Sequence, residues 1–151
     1  MALHLTDRIH IARGPNEVWQ FVADLDRERR WRRPYVTELV AEGDPLTPGA
    51  RVSGTTKAFG QTDTYRNEVV EVQARRHLAW RGLEASGGLI GTVGAYDLVP
   101  EGGGTSFRLT MEYEPQGVWG RLQQPVLRVV LPRIVRRFLV QLKHEAETAT
   151  T

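Results

Sequence analysis

The period of this chain changes once, and that change restricts the fold more than any single residue. From Tyr35 to Pro115 apolar and polar residues alternate in short runs divided by glycine and proline; beyond Pro115 the apolar residues recur at helical spacing. Strand side chains alternate between two faces, whereas helix side chains return to one face about every 3.6 residues. The alternating region reads as strands over 36–41, 50–58, 62–73, 77–83, 91–100 and 105–114. Glu101-Gly102-Gly103-Gly104 joins the last two as a hairpin, because glycine supplies the positive φ that tight hairpins need. In the last strand Phe107, Leu109, Met111 and Tyr113 alternate with Ser106, Arg108, Thr110 and Glu112, the pattern of a half-buried antiparallel strand.

The helical region carries Leu127, Leu131, Ile134, Val135, Phe138, Leu139 and Leu142 on one stripe, with Arg133, Arg136, Arg137 and Lys143 largely opposite. A helix over 121–147 is expected, with a start or a kink at Pro125 and at Pro132, since proline removes a backbone donor. Ahead of the strands, Leu3, Leu5, Ile9 and Ile11 share one parity of a first strand over 3–12, and Asp7 interrupts it. Gly14-Pro15-Asn16-Glu17 then opens a short amphipathic helix carrying Val18, Phe21, Val22 and Leu25. The charged stretch 24–33 around Trp31 reads as the exit of that helix and stops at Pro34. Strand, short helix, six strands and long helix make one α+β domain over 1–151, an antiparallel sheet with its helices on one face.

Composition removes several chemistries. Without cysteine there is no disulfide, thiolate metal site or cysteine nucleophile. His4, His10, His77 and His144 make no H-x-H or H-E-x-x-H spacing, and Asp24-Leu25-Asp26 lacks the glycine and distal glutamate of a calcium loop, so no metal is expected. Ser53, Ser86 and Ser106 lie in no G-x-S-x-G elbow, and the glycines at 87, 88, 91 and 94 make no nucleotide loop. The net charge of +2 does not call for nucleic acid, and no basic and aromatic residues interleave on one strand face. Arginines around Trp31 and on the last helix leave contact with a membrane surface as a minor expectation. No run of apolar residues is long enough for a membrane span or a signal peptide, and a cytoplasmic protein is expected.

Certain residues carry a family resemblance. They are Ile9-His10-Ile11 leading into Gly14-Pro15-Asn16-Glu17-Val18-Trp19, Trp31 before the Tyr35 strand, and Pro48-Gly49-Ala50-Arg51-Val52. Val70-Glu71-Val72 before Arg76-His77-Leu78-Ala79-Trp80, and Gly103-Gly104-Thr105-Ser106-Phe107, complete the set. With this element order, the chain resembles the START and Bet v 1-like (SRPBCC) superfamily, and within it the polyketide cyclase/dehydrase-like branch. The resemblance implies a helix-grip fold, in which a curved antiparallel sheet wraps the long C-terminal helix and leaves an apolar cavity between them. With the aromatic strand positions, it makes Trp31, Tyr35, Tyr65, Arg66, Trp80, Tyr96, Phe107, Met111 and Phe138 the expected lining.

Three functions follow from the resemblance. The first is binding of a hydrophobic or aromatic small molecule, lipid-like or polyketide-like, by a monomer or homodimer without cofactor. The second is a cyclase, aromatase or dehydratase using the same cavity, with Arg66 as electrophile and Tyr65 or Tyr35 as proton donor. The third is an interaction module of the chaperone-activator type, which requires an exposed apolar patch. In the family register Val69 stands at the position of the cyclases' strand arginine and Asn67 at that of their serine. A slip of one residue in the 62–73 strand reverses its faces, so the direction of Arg66 stays open; with Val70 and Val72 inward, Arg66 and Glu68 would pair in the cavity.

Overall fold

A computed structural model describes residues 2–149. Its elements in chain order are β1 (Leu3–Ile11), α1 (Pro15–Ala23), α2 (Leu25–Trp31), β2 (Val36–Glu42), β3 (Arg51–Ala58), β4 (Gln61–Gln73), β5 (His77–Ala85), β6 (Leu89–Glu101), β7 (Gly104–Pro115) and α3 (Gly117–Thr148). The seven strands form one curved antiparallel sheet in the order β1-β7-β6-β5-β4-β3-β2. Only β1 departs from sequence order, pairing with β7 while the remaining strands run as a meander. This is the helix-grip α+β arrangement, with α3 lying along the inner face of the sheet.

The first strand follows its parity: Leu3, Leu5 and Ile11 are buried. Asp7 keeps the core parity because its carboxylate lies 3.6 Å from Arg136 Nη1 of α3, so the interruption in the pattern is a sheet-to-helix ion pair. The hairpin after β6 turns on Gly102 and Gly103 at φ 52 and 78. Ile11, Val18, Val22, Leu109, Leu139 and Leu142 meet where β1, β7, α1 and α3 converge, and they form part of the buried core.

Two expectations are corrected here. The charged stretch is a helix in its own right, α2. Asp24 ends α1 and caps α2, its Oδ1 accepting from the Asp26 amide at 2.9 Å and the Arg27 amide at 3.4 Å. The last helix starts at Gly117, ahead of both prolines, and runs unbroken through Pro125 and Pro132. Both prolines lie on the solvent side, where water can satisfy the carbonyls that lose their helical donor.

The direction of β4 is decided by a bulge. Val69 pairs with Trp80 and Glu71 with Ala79, which leaves Val70 as the extra residue. Val69 is therefore buried and Val70 exposed, while Val72 returns to the core side. Arg66 points to the outer face and pairs with Glu42 of β2 at 3.2 Å. Glu68 pairs instead with Arg81 of β5 at 2.8 Å, so the Arg66–Glu68 pair does not form.

Candidate functional site

Between the inner face of the sheet and α3 lies a cavity of about 240 Å3. Tyr65, Trp80, Met111 and Tyr113 of the sheet form its floor, and Leu127, Leu131, Ile134 and Phe138 of α3 its roof. Tyr35 and Arg32 also line it, and Phe59, Gly87, Gly88 and Gln123 border it where the two hairpin tips approach α3. Two glycines set the depth of the floor. Gly54 pairs across the sheet with Tyr65, and Gly94 with Trp80. A Cβ on Gly54 would lie 2.2 Å from Tyr65 Cζ, and one on Gly94 2.1 Å from Trp80 Cε2. The two rings occupy the spaces that the missing side chains leave.

A buried cation meets this largely apolar space. Arg32 is the C-cap residue of α2 and is 7% exposed. Glu28 stands one turn earlier, so the spacing i, i+4 puts both on one face of α2. Arg32 Nη2 donates to the Tyr96 hydroxyl, which donates in turn to Glu28 Oε1. Arg32 Nε lies 3.9 Å from Glu28 Oε1 and has no hydrogen-bond acceptor among the described residues. Four rings surround the guanidinium, with its Cζ 5.4 Å from the centroid of Trp31, 5.6 Å from those of Tyr96 and Phe138, and 5.8 Å from that of Trp80. The end of α2 is fixed from α3, where Gln141 Nε2 donates to the carbonyls of Trp31 and Arg33 at 2.8 and 2.7 Å. A second cavity of about 50 Å3 shares Arg32, Tyr65, Asn67 and Trp80 with the first, so these four residues form the partition between the two.

The model of the family described as "polyketide cyclase / dehydrase and lipid transport" matches residues 2–147. The chain belongs to this family. Among solved structures, the Zhui aromatase/cyclase from Streptomyces sp. R1128 is 18% identical, with a TM-score of 0.83 over 97% of this chain and 94% of that one. TTHA0849 from Thermus thermophilus is 20% identical, with a TM-score of 0.81 over 99% of this chain and all of that one. Ara h 8.0201 is 14% identical, with a TM-score of 0.73 over 99% of this chain. At these identities the likeness is one of fold. No curated protein matches the sequence.

Of the residues expected to line a cavity in a member of this family, Tyr35, Tyr65, Trp80, Met111 and Phe138 do so. Trp31, Tyr96 and Phe107 are completely buried behind it and pack edge-on or tilted against one another. Trp31 is further tied by its Nε1, which donates to the Phe21 carbonyl at 2.9 Å. Arg66 is on the other side of the sheet, so the expected meeting of Arg66 with Tyr65 does not occur. The arginine that Tyr65 meets is Arg32, from a helix rather than a strand. Sequence reasoning passes over it because it is one of several arginines in a stretch that looks solvated. The available signal is the Glu28–Arg32 spacing behind the Asp24 cap. Among the described residues no group of three or more histidines or carboxylates gathers to hold a metal ion.

Burial raises the Glu28 carboxyl above its ordinary range, against the pull of Arg32 and of the Tyr96 hydrogen bond. Burial opposes the charge of Arg32, but Tyr96, Glu28, Tyr65 and Tyr113 outweigh it and hold the guanidinium protonated. Burial likewise raises the hydroxyls of Tyr65, Tyr96 and Tyr113, with Arg32 pulling each one down. Tyr65 is pushed up to about 12. Its folded pKa lies above its unfolded one, so the stability held by the neutral phenol is complete below pH ~10 and is lost as pH rises through 12. Tyr65 alone is expected to remove about 2 to 3 kcal/mol across that window. Urea midpoints at successive pH values, with phenolate absorbance followed alongside, check this; stability that stays flat to pH 12 contradicts it.

Proposed function

We propose that this chain binds a hydrophobic, ring-containing small molecule in the cavity under α3, with a ligand oxygen held by Arg32 and Tyr65. One observation carries the reading: a permanently charged, almost fully buried guanidinium lines a cavity whose wall is largely aromatic and aliphatic, though Asp63, Asn67, Glu84 and Gln123 also border it. Burying a charge is costly unless it is paired, and Glu28 and Tyr96 engage only part of the fork. A carbonyl or phenolic oxygen supplies a further acceptor, while the aromatic and aliphatic walls take the body of the molecule. The family description and the aromatase/cyclase neighbour support the same ligand class.

The test is a thermal-shift panel that pairs flat aromatic ketones and phenols with hydrocarbons of equal size. A ligand at a hundred times its Kd stabilises the fold by about 2.7 kcal/mol, which at this chain length raises Tm by roughly 5–10 °C. The oxygenated compounds are expected to give that shift and the hydrocarbons much less. Leu131→Trp, which fills the roof, should weaken binding more than tenfold while the protein stays folded. A panel without any shift ends this reading.

A cyclase reading has one observation in its favour, the pairing of Tyr65 with Arg32 inside the cavity. Arg32 would stabilise the negative charge that develops on a ketone oxygen attacked by a carbanion, and Tyr65, kept neutral by burial, would donate the proton. Loss of turnover in Tyr65→Phe with retained binding would distinguish catalysis from carriage.

A further inference from the structure

The first half of α3 is apolar on two sides. Leu127 and Leu131 face the cavity, while Val118, Trp119, Leu122, Val126 and Val129 face solvent with exposures of 74, 55, 66, 62 and 57%. Positions 118, 122, 126 and 129 fall at i, i+4, i+8 and i+11, so the exposed residues form one continuous stripe. A surface helix ordinarily turns polar residues to water, so this face has the character of a contact surface. Phe59, 68% exposed at the β3–β4 tip, borders the same cavity as Gln123 and Leu127. The stripe lies on the side of α3 turned away from Leu127 and Leu131, so the helix is apolar both toward the cavity and toward solvent.

Charge selects the occupant. Between Glu114 and Glu145 the chain carries Arg121, Arg128, Arg133, Arg136, Arg137 and Lys143 and no acidic residue. Arg136 is paired with Asp7 and Lys143 with Glu147. Arg121, Arg128 and Arg133 are exposed and form no ion pair among the described residues. A second copy docked about a two-fold axis would bring cations against cations, with no carboxylate on the stripe to relieve them. An anionic lipid surface meets both demands, because its acyl region takes the apolar stripe, its headgroups face the arginines, and Trp119 suits the boundary between them.

We propose that the solvent-facing side of α3 docks this protein on anionic membranes. The docking face is independent of what the cavity holds. Its use, holding the protein at a bilayer that supplies an apolar ligand, rests on the ligand reading above.

The experiment sediments the full chain with vesicles of phosphatidylcholine alone and of phosphatidylcholine with phosphatidylglycerol, at low and high salt. Partitioning onto the anionic vesicles is expected to be at least tenfold stronger and to fall with salt. Trp119→Ser combined with Leu122→Ser should reduce it at least tenfold while ligand-induced thermal shifts are unchanged, since neither residue lines the cavity. Arg121→Gln with Arg128→Gln should remove the preference for the anionic lipid. No partitioning, equal partitioning onto both vesicles, or partitioning that survives the Trp119/Leu122 variant overturns the proposal. So does a dimer in sedimentation analysis that the same variant dissociates, which would assign the face to a second copy. Because vesicle binding is read without ligand, an empty cavity and an unused membrane face give different results.

Discussion

Arg32→Met is expected to destabilise the fold by about 3 to 5 kcal/mol, because it leaves Glu28 buried without its counter-charge. At this chain length that corresponds to a fall in Tm of roughly 6–20 °C. The loss should depend on pH in a specific sense. Burial already raises the Glu28 carboxyl, and removing Arg32 takes away the largest influence that lowers it. A group whose folded pKa is raised gives stability that is present at low pH and lost as pH rises, so the variant should be least impaired in acid. Glu28→Gln in the Arg32→Met background should recover most of the deficit, because the neutral amide can still accept from Tyr96 and needs no cation. Urea titrations of the wild type, both single variants and the double variant complete the cycle. A double variant no more stable than Arg32→Met would mean that the pair matters through packing rather than charge.

Trp31→Ala should cost a similar amount, about 3 to 5 kcal/mol, for a different reason. The indole is completely buried, packs edge-on against Tyr96, Phe107 and Phe138, and spends its one donor on the Phe21 carbonyl. Truncation leaves a void and an orphaned carbonyl together. A ring facing a ligand cavity has fewer neighbours to lose, so the size of the loss separates core from lining. Denaturant unfolding measures it, and a cost below about 1 kcal/mol would put Trp31 back among the ligand contacts.

Local pattern made much of this fold legible. The alternation over 105–114, the glycine turn before it and the stripe from Leu127 to Leu142 each matched β7, its hairpin and α3, because in all three the burial period agrees with the backbone period. The failures have physical causes. β4 carries a bulge at Val70, and one extra residue reverses every side chain beyond it, which no count of alternating residues detects. Residues 25–31 spell Leu-Asp-Arg-Glu-Arg-Arg-Trp, so α2 has almost no apolar stripe, and it is held by the Asp24 cap and by Gln141 from a helix more than a hundred residues away. The prolines of α3 argued for a helix that starts or kinks at them; it starts earlier, at Gly117, and the solvent-side placement of both prolines lets water satisfy the carbonyls that lose a donor. For the site, the cavity was expected from the family resemblance together with the aromatic strand positions, of which Tyr65 and Trp80 line it while Tyr96 and Phe107 are buried behind it. Its buried cation came from the segment that composition marked as surface.

The glycines at 54 and 94 separate capacity from contact. Neither is among the residues lining the cavity, yet each sets how far an aromatic ring retreats from it. An alanine at either position would push Tyr65 or Trp80 into the space a ligand needs while every lining residue kept its identity. Two chains of this family with the same wall could therefore accept molecules of different thickness. The choice would be written one strand away, in positions that a comparison of binding-site residues does not inspect.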